Sequence, residues 1–364
     1  MDTLSRFIPI IVMIKARHGP TTINGTKPVG MPKAPITNIT FGTMTLGYRG
    51  YGARVHDPAT ADAMLGAVLE FGHDQLDTCS VYGDGTCEQM LGDLRAAERF
   101  GIATRIHSGN TPGHESGNTR GHEPENLKRV FKESLARLKT DKVKILYLVT
   151  PDSATPIEST LSAVQELHDE DLFEEFGLSN FSAWQVAEAS EIAARHSWIR
   201  PSVYQGLYNA ITRAVEPELF KCLGNYGIRF HAYNPLAGGA FSKNFAGSAA
   251  VAAGSRFDSS TVQGKFYRDR YWNDAYFDAL AEIHRSCEGR GFDAISVALR
   301  WLIHHSQLNA ERNDGIIIGA SSLEHLRHNL TAVTEGPLPT EILAAIDDAA
   351  LKAQPKWPPY FSGV

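Results

Sequence analysis

Ile145-Leu146-Tyr147-Leu148-Val149 is an unbroken apolar run of strand length, and Ile316-Ile317-Ile318 is another. A strand with one face in water alternates apolar and polar residues. A run without alternation is buried on both faces, as in a parallel sheet covered by helices. On either side of these runs, strand candidates fall at residues 39–44, 75–78, 101–106, 143–149, 175–178, 202–205, 228–233 and 315–318, eight in all.

Helix start signals lie between them. Asp57-Pro58-Ala59-Thr60 leads into 61–71, where Met64, Val68 and Phe71 share a face. Thr155-Pro156-Ile157-Glu158 opens another helix, with Pro in an early turn where its missing N–H is harmless. Ser182-Ala183-Trp184-Gln185 has capping-box form, and Ser322-Leu323-Glu324-His325 precedes a face of Leu326, Leu330 and Val333. Strands alternating with helices define an α/β chain, and eight of them favour a closed (β/α)8 TIM barrel over an open sheet. No Gly-x-Gly-x-x-Gly follows the first strand, which argues against an open dinucleotide-binding domain.

The barrel is expected over residues 34–364 as a single domain, with a long loop after the seventh strand. Residues 1–33 read as an extension outside it, poorly ordered and rich in Gly, Pro and Lys after Ile14. Their apolar run, 7–14, is too short to span a bilayer, which takes about 20 residues. Lys and Arg number 35 against 41 Asp and Glu, a net charge of −6, so no basic surface for nucleic acid or anionic membrane is expected. Cys79, Cys87, Cys222 and Cys287 form no Cys-x-x-Cys pair and read as reduced thiols of a cytoplasmic protein.

Two segments interrupt the alternation. Residues 108–123 are a tandem duplication, Ser-Gly-Asn-Thr-Pro-Gly-His-Glu followed by Ser-Gly-Asn-Thr-Arg-Gly-His-Glu. It reads as a slippage insertion in a tolerant loop rather than a metal site built from His114, Glu115, His122 and Glu123, and no metal is expected. The second, 236–270, is rich in Gly, Ala and Ser and leads into Phe266, Tyr267, Tyr271 and Trp272. A loop this long is usually a lid or binding loop.

The strongest chemical signal is Leu76-Asp77-Thr78-Cys79-Ser80-Val81-Tyr82-Gly83. A phenol titrates at about 10 and needs a cationic neighbour to act as an acid near neutrality. Taken alone, an Asp and a Tyr at this spacing also describe an ordinary turn with a packed ring.

Through the joint order and spacing of its motifs, the chain resembles the aldo-keto reductases, in particular the aflatoxin-aldehyde reductase branch. The likeness runs from about Phe41 to the C-terminus. It is carried by Gly42-Thr43-Met44, Asp77-Thr78 with Tyr82-Gly83, Gly177-Leu178-Ser179-Asn180-Phe181 and the stretch from Val203 to Ala210. Tyr233 to Gly239, Arg268 to Trp272, Leu299-Arg300-Trp301 and Gly319 to Glu324 complete it.

The resemblance implies NADPH-dependent reduction of a small carbonyl substrate. Tyr82 would be the proton donor and Asp77 would polarise its cationic partner. Ser179, Asn180 and Gln205 would hold the nicotinamide carboxamide, and Tyr233 would stack on the ring. Asn234, Pro235, Leu236, Ala237, Gly238, Gly239 and onward to Asn244 would clasp the pyrophosphate, with Arg256 adding charge. Gly319, Ser321, Ser322, His325 and Asn329 would take the adenosine 2′-phosphate and adenine at a helix N-terminus. Met44, Tyr82, Val149, Arg270 and Trp272 would face the substrate. Bland readings stay open for several: a packed ring for Tyr233, a turn for Ser179-Asn180, a core amide for Gln205, plain N-caps for Ser321 and Ser322, and a surface ion pair for Arg270. A homodimer is a further open expectation.

The chain departs from the branch at two of its four tetrad positions. Arg105 of Thr104-Arg105 stands where the resemblance expects Lys, and Val149 where it expects His. Arg105 keeps the charge but cannot relay a proton, and Val149 cannot hydrogen-bond a carbonyl. His107, two residues past Arg105, is the candidate to replace the lost imidazole. These departures leave two rival readings: a barrel that binds the dinucleotide without carbonyl chemistry, as a sensor or partner subunit, and a barrel catalysing a non-redox reaction.

Overall fold

The computed structural model describes residues 34–109, 121–242, 245 and 255–362. The expectations for residues 1–33, His114, Glu115 and Asn244 lie outside the described residues. Eight strands appear: β1 (Asn38–Gly42), β2 (Gln75–Asp77), β3 (Gly101–Ile106), β4 (Val143–Leu148), β5 (Phe173–Ser179), β6 (Pro201–Leu207), β7 (Arg229–Tyr233) and β8 (Gly315–Gly319). They close in sequence order, every pair parallel, with Ile39 opposite Ile316 and Gly42 opposite Gly319 where β8 returns to β1. All eight expected strands are present, in a closed (β/α)8 barrel.

The helices are α1 (Pro58–Glu70), α2 (Thr86–Asp93), α3 (Pro124–Leu138), α4 (Ile157–Asp169), α5 (Ala183–His196), α6 (Leu219–Tyr226), α7 (Val262–Tyr271), α8 (Asp274–Cys287), α9 (Ala294–His304), α10 (Leu323–Ala332) and α11 (Thr340–Ala353). Their starts follow local chemistry. Asp57 accepts from the Thr60 N–H at 2.9 Å, the Ser182 N–H donates to Gln185 Oε1 at 2.9 Å, and the His325 N–H donates to Ser322 Oγ at 3.2 Å. Pro156 precedes α4 as its cap rather than sitting in its first turn.

The main core lies between barrel and helices, with Met64, Leu65, Phe131, Phe176 and Phe230 buried there. A second, small cluster of Ala103, Ile145, Tyr147 and Val203 comes from alternate residues of β3, β4 and β6 and fills the barrel interior. Gly177 makes room for it: opposite Tyr147 in the ladder, it would carry a Cβ only 2.4 Å from the Tyr147 ring.

The segment after β7 is not irregular throughout. A short 3₁₀ turn at Ala237–Gly239 follows the strand, and 262–271 is the helix α7. Thr261 caps it, accepting from the Gly264 N–H at 2.9 Å. Rings seal this side: Phe245 meets Phe257 at 4.6 Å and Trp272 at 5.2 Å between centroids. No helix among the described residues is long and apolar enough to cross a membrane.

Candidate active site

The C-terminal ends of β2, β3 and β6 bring three polar side chains together inside the barrel. Asp77 ends β2 and pairs through Oδ1 with Arg105 Nη2 from β3. Arg105 Nη1 donates to Gln205 Oε1 at 2.6 Å, and Gln205 Nε2 donates to Asp77 Oδ2 at 3.1 Å, closing a ring of three. Arg105 Nε donates to the Thr78 carbonyl at 3.1 Å. Asp77, Arg105 and Gln205 are 2%, 7% and 1% exposed, so the charges are dry and their partners are obligatory.

Tyr82 lies in the turn after β2, and the Arg105 guanidinium sits 5.8 Å from its ring centroid. The Tyr82 phenol titrates well above 10. Burial is the main cause, with Cys79, Tyr267 and Tyr51 adding to it. Arg105 supplies the cationic neighbour that such a phenol needs, but its guanidinium is committed to Asp77 and Gln205, and desolvation of the phenol wins. At neutral pH Tyr82 therefore carries its proton.

A second group forms at the ends of β5 and β7. Ser179 lies beside Gln205 in the β5–β6 ladder. Asn180 Nδ2 donates to Ser179 Oγ at 3.1 Å and to the Val149 carbonyl at 2.8 Å, while its Oδ1 accepts from Tyr233 Oη at 2.8 Å. Val149 itself is buried and offers this site only its backbone oxygen. His107 follows β3 directly and is half-buried. His122 is buried with its ring against the Ile106 carbonyl at 3.4 Å, and burial draws it down to about 4. Among the described residues no cluster of His, Cys, Asp or Glu has the makings of a metal site.

Beyond β7, Asn234 takes a left-handed backbone at φ 54°, its carbonyl accepting from the Asn209 amide at 3.1 Å and from the Ala237 N–H at 3.0 Å. Pro235 and Leu236 carry the chain to Gly239, whose N–H donates to the Leu236 carbonyl at 2.8 Å. Gly238 is required here, because it has φ 73° and a Cβ would stand 2.4 Å from the Tyr267 ring. At the β8 end, Asn329 Nδ2 donates to the Gly319 carbonyl at 3.2 Å, and Ser321 Oγ lies 3.2 Å from His325 Nδ1 beside the α10 N-terminus.

The walls add cations and phenols. The Arg256 guanidinium reaches 3.7 Å from where a Gly319 Cβ would be and lies 5.5 Å from the Tyr267 ring. Arg54 is held beside it: its N–H donates to the Thr45 carbonyl, and Thr45 in turn donates to the Ala320 carbonyl. Burial, then the Arg256 charge, lowers the Arg54 pKa. Neither arginine has a carboxylate partner among the described residues. Two such cations beside the end of β8 fit a phosphate-bearing dinucleotide, whose anion would relieve their repulsion.

Arg270 stacks 4.1 Å over Phe266, and its guanidinium lies 6.0 Å from the Tyr233 ring centroid. Burial pushes the Tyr51 phenol up to about 12, with Tyr267 adding to it. Met44 lies against Gly52 with its Sδ 3.8 Å from Gln263 Nε2. Trp272 is held by Phe245, by Phe277 of α8 and, at 4.1 Å, by the Arg268 guanidinium, so its ring contacts are with the segment after β7 and with α8.

Tyr147, His231, Tyr51 and Arg54 were missed in the sequence. The first two had a signal: Tyr147 lies two residues before Val149, and His231 two before Tyr233, so strand alternation aims them inward too. Tyr51 and Arg54 sit in the loop between β1 and α1, where no periodicity operates.

A closed parallel barrel with a dry Asp–Arg–Gln cluster and a phenol at its C-terminal mouth defines an oxidoreductase of the barrel class. The chain matches the sequence model of the Aldo/keto reductase family over residues 38–351 and belongs to that family. It is similar to the human Aflatoxin B1 aldehyde reductase member 2, 39% identical over 344 residues, 91% of each chain. It is also similar to the human Aldo-keto reductase family 7 member A3, 40% identical over 87% of this chain and 96% of that one. The Aldo-keto reductase pigE of Monascus ruber is 34% identical over 89% of this chain and 96% of its own.

Proposed function

We propose that the protein reduces an aldehyde or ketone to the alcohol, with NADPH as cofactor and Tyr82 as proton donor. The observation that carries this reading is the convergence of Asp77, Arg105, Gln205 and Tyr82 at one end of the barrel. NADPH, when bound, supplies a hydride to the carbonyl carbon. Tyr82 gives its phenol proton to the carbonyl oxygen, so that a neutral alcohol leaves. Arg105 stabilises the phenolate left behind, and Asp77 keeps the guanidinium in place. Ser179, Asn180 and Tyr233 orient the nicotinamide end. Ala237, Gly238 and Arg256 take the pyrophosphate, and Ser321, Ser322, His325 and Asn329 the 2′-phosphate.

The aromatic lid and Arg270 suit a bulky or aromatic carbonyl compound of specialised metabolism. The name of the human aflatoxin aldehyde reductase puts an aldehyde among the substrates of the branch. His107 is the nearest candidate to replace the imidazole that Val149 lacks, and His107→Ala tests it directly: unchanged turnover removes the role. A cytoplasmic protein, as a monomer or homodimer, fits this reading.

A second reading, a dinucleotide-binding barrel without carbonyl chemistry, is favoured by one observation: the position of Val149 offers no side-chain donor. NADPH fluorescence titration followed by absorbance loss with a carbonyl panel separates the two. Turnover that falls at least about 10²-fold in Tyr82→Phe, with NADPH affinity kept, supports the reductase. Binding without turnover supports the second reading, and turnover unaffected by Tyr82→Phe rejects the proposed acid.

A further inference from the structure

After α11 a short 3₁₀ turn at Gln354–Lys356 leads into a segment that runs over the loops following β6 and β5. Trp357 Nε1 donates to the Ile211 carbonyl at 2.6 Å, beyond the end of β6. Tyr360 is buried and bonded on two sides. Its hydroxyl donates to Glu218 Oε2 at 2.6 Å, where α6 begins, and accepts the Ala183 N–H at 3.2 Å, where α5 begins. Two residues further on, the Ser362 N–H donates to the Asn180 carbonyl at 3.0 Å.

Asn180 is thus gripped at its backbone as well as at its side chain. Its φ of 60° is left-handed, a conformation that a residue with a Cβ keeps only where its surroundings hold it. The amide nitrogen donates to the Val149 carbonyl and to Ser179 Oγ, so the remaining amide atom is the oxygen. That oxygen accepts from Tyr233 Oη and keeps its second lone pair. The side-chain bonds tie the amide to the ends of β4, β5 and β7. The Ser362 bond fixes the peptide plane from which the side chain hangs.

We propose that residues 357–362 are a tether that positions Asn180 for the nicotinamide: Tyr360 anchors the segment to α5 and α6, and Ser362, through its backbone N–H, is a positioning residue that keeps the second lone pair of Asn180 Oδ1 available to the carboxamide NH2. The proposal rests on the cofactor reading above and adds to it a segment outside the strands. The tether's bonds fall on residues after β5 and β6, whereas Ser321, Ser322 and His325 follow β8. Its loss is therefore felt at the nicotinamide end of the dinucleotide and not at the adenosine end.

The test compares two ligands by calorimetric titration: NADPH, and adenosine 2′,5′-bisphosphate, which has the adenine and the 2′-phosphate but no nicotinamide. Ser362→Pro removes the N–H, and a chain ending at Phe361 removes it without a proline ring. Both variants are expected to bind NADPH about two- to tenfold more weakly, the value of one neutral hydrogen bond, and to bind the bisphosphate as the full chain does. NADPH affinity kept in either variant overturns the proposal. So does an equal weakening of both ligands, which would make the segment a prop for the fold. A full chain that does not bind NADPH sinks the cofactor reading and the tether with it; a full chain that binds NADPH, with variants that show no split between the ligands, sinks the tether alone.

Discussion

Arg105 Nη1 meets Gln205 Oε1 at 2.6 Å across the barrel, joining β3 to β6. A lysine ends in one ammonium and would be spent on Asp77. A guanidinium presents two arms, and the second one reaches the amide that the family resemblance assigns to nicotinamide. On the proposed roles of these residues, the guanidinium bears on cofactor binding as well as on proton transfer.

Arg105→Lys is expected to release Gln205 and tighten NADPH by about two- to tenfold, the value of one neutral hydrogen bond regained. Fluorescence titration measures it. Affinity that stays level or weakens would show that Gln205 is not withheld from the cofactor in this way.

Val149→His places a donor at the end of β4, beside the carbonyl that already receives the Asn180 amide. A donor aimed at developing negative charge is worth about 10²-fold. The variant is expected to raise kcat by at least about tenfold on small aldehydes, some of the gain being lost to imperfect placement. A panel of aldehydes of graded size checks it, and a kcat that does not rise for the smallest removes the missing imidazole as the limit on rate.

The strands were legible because their signal is local. Ile145 to Val149 and Ile316 to Ile318 are apolar on both faces, and so announce a parallel strand. The start of β5 was not legible: Phe173-Glu174-Glu175 interrupts the apolar run, because Glu175 faces Arg229 at 2.5 Å inside the lower barrel and needs the charge. The α7 helix was hidden for a similar reason. Gly264 and a mixed face give it little amphipathic period, and it is held by the Thr261 cap and by Tyr267 and Tyr271, which bury into the lid. In the site, Asp77, Tyr82 and Arg105 entered through the family resemblance, and the structure brings the three together at the barrel mouth. What Arg105 does with its second arm was not legible, since it depends on a residue 100 positions away.

Two buried histidines make acid sensitivity a property of the fold. His231 and His122 are drawn down by burial to about 3 and about 4, below the ordinary 6.5. With depressed folded values, the unfolded chain takes up protons first as pH falls through 6.5, so stability is full above that pH and drains below it. Between pH 7 and 5 the loss is expected to be a few kcal/mol, at about 1.36 kcal/mol per unit and group. Carboxylates add little in that window, since they titrate lower. Urea unfolding at the two pH values measures the loss, and His122→Gln is expected to remove about half of it. An unchanged urea midpoint would mean that both imidazoles take up protons in the folded state.

Arg54 and Arg256 stand side by side at the end of β8 without a carboxylate partner among the described residues, and the Arg256 charge lowers the Arg54 pKa. Like charges held together in a half-buried wall cost stability, which a bound anion would offset. Arg256→Gln is therefore expected to weaken NADPH by about ten- to a hundredfold, the range of a charge-assisted hydrogen bond. The variant should also show a shallower dependence of affinity on salt and a slightly higher melting temperature in the absence of cofactor. NADH separates the two phosphates. Equal weakening of NADH and NADPH assigns Arg256 to the pyrophosphate, in line with the proposed role. Weakening of NADPH alone would move it to the 2′-phosphate beside Ser321 and Ser322. Unchanged affinity for both would remove this arginine pair from the cofactor site, and a lower melting temperature would show that the pair is not strained against itself.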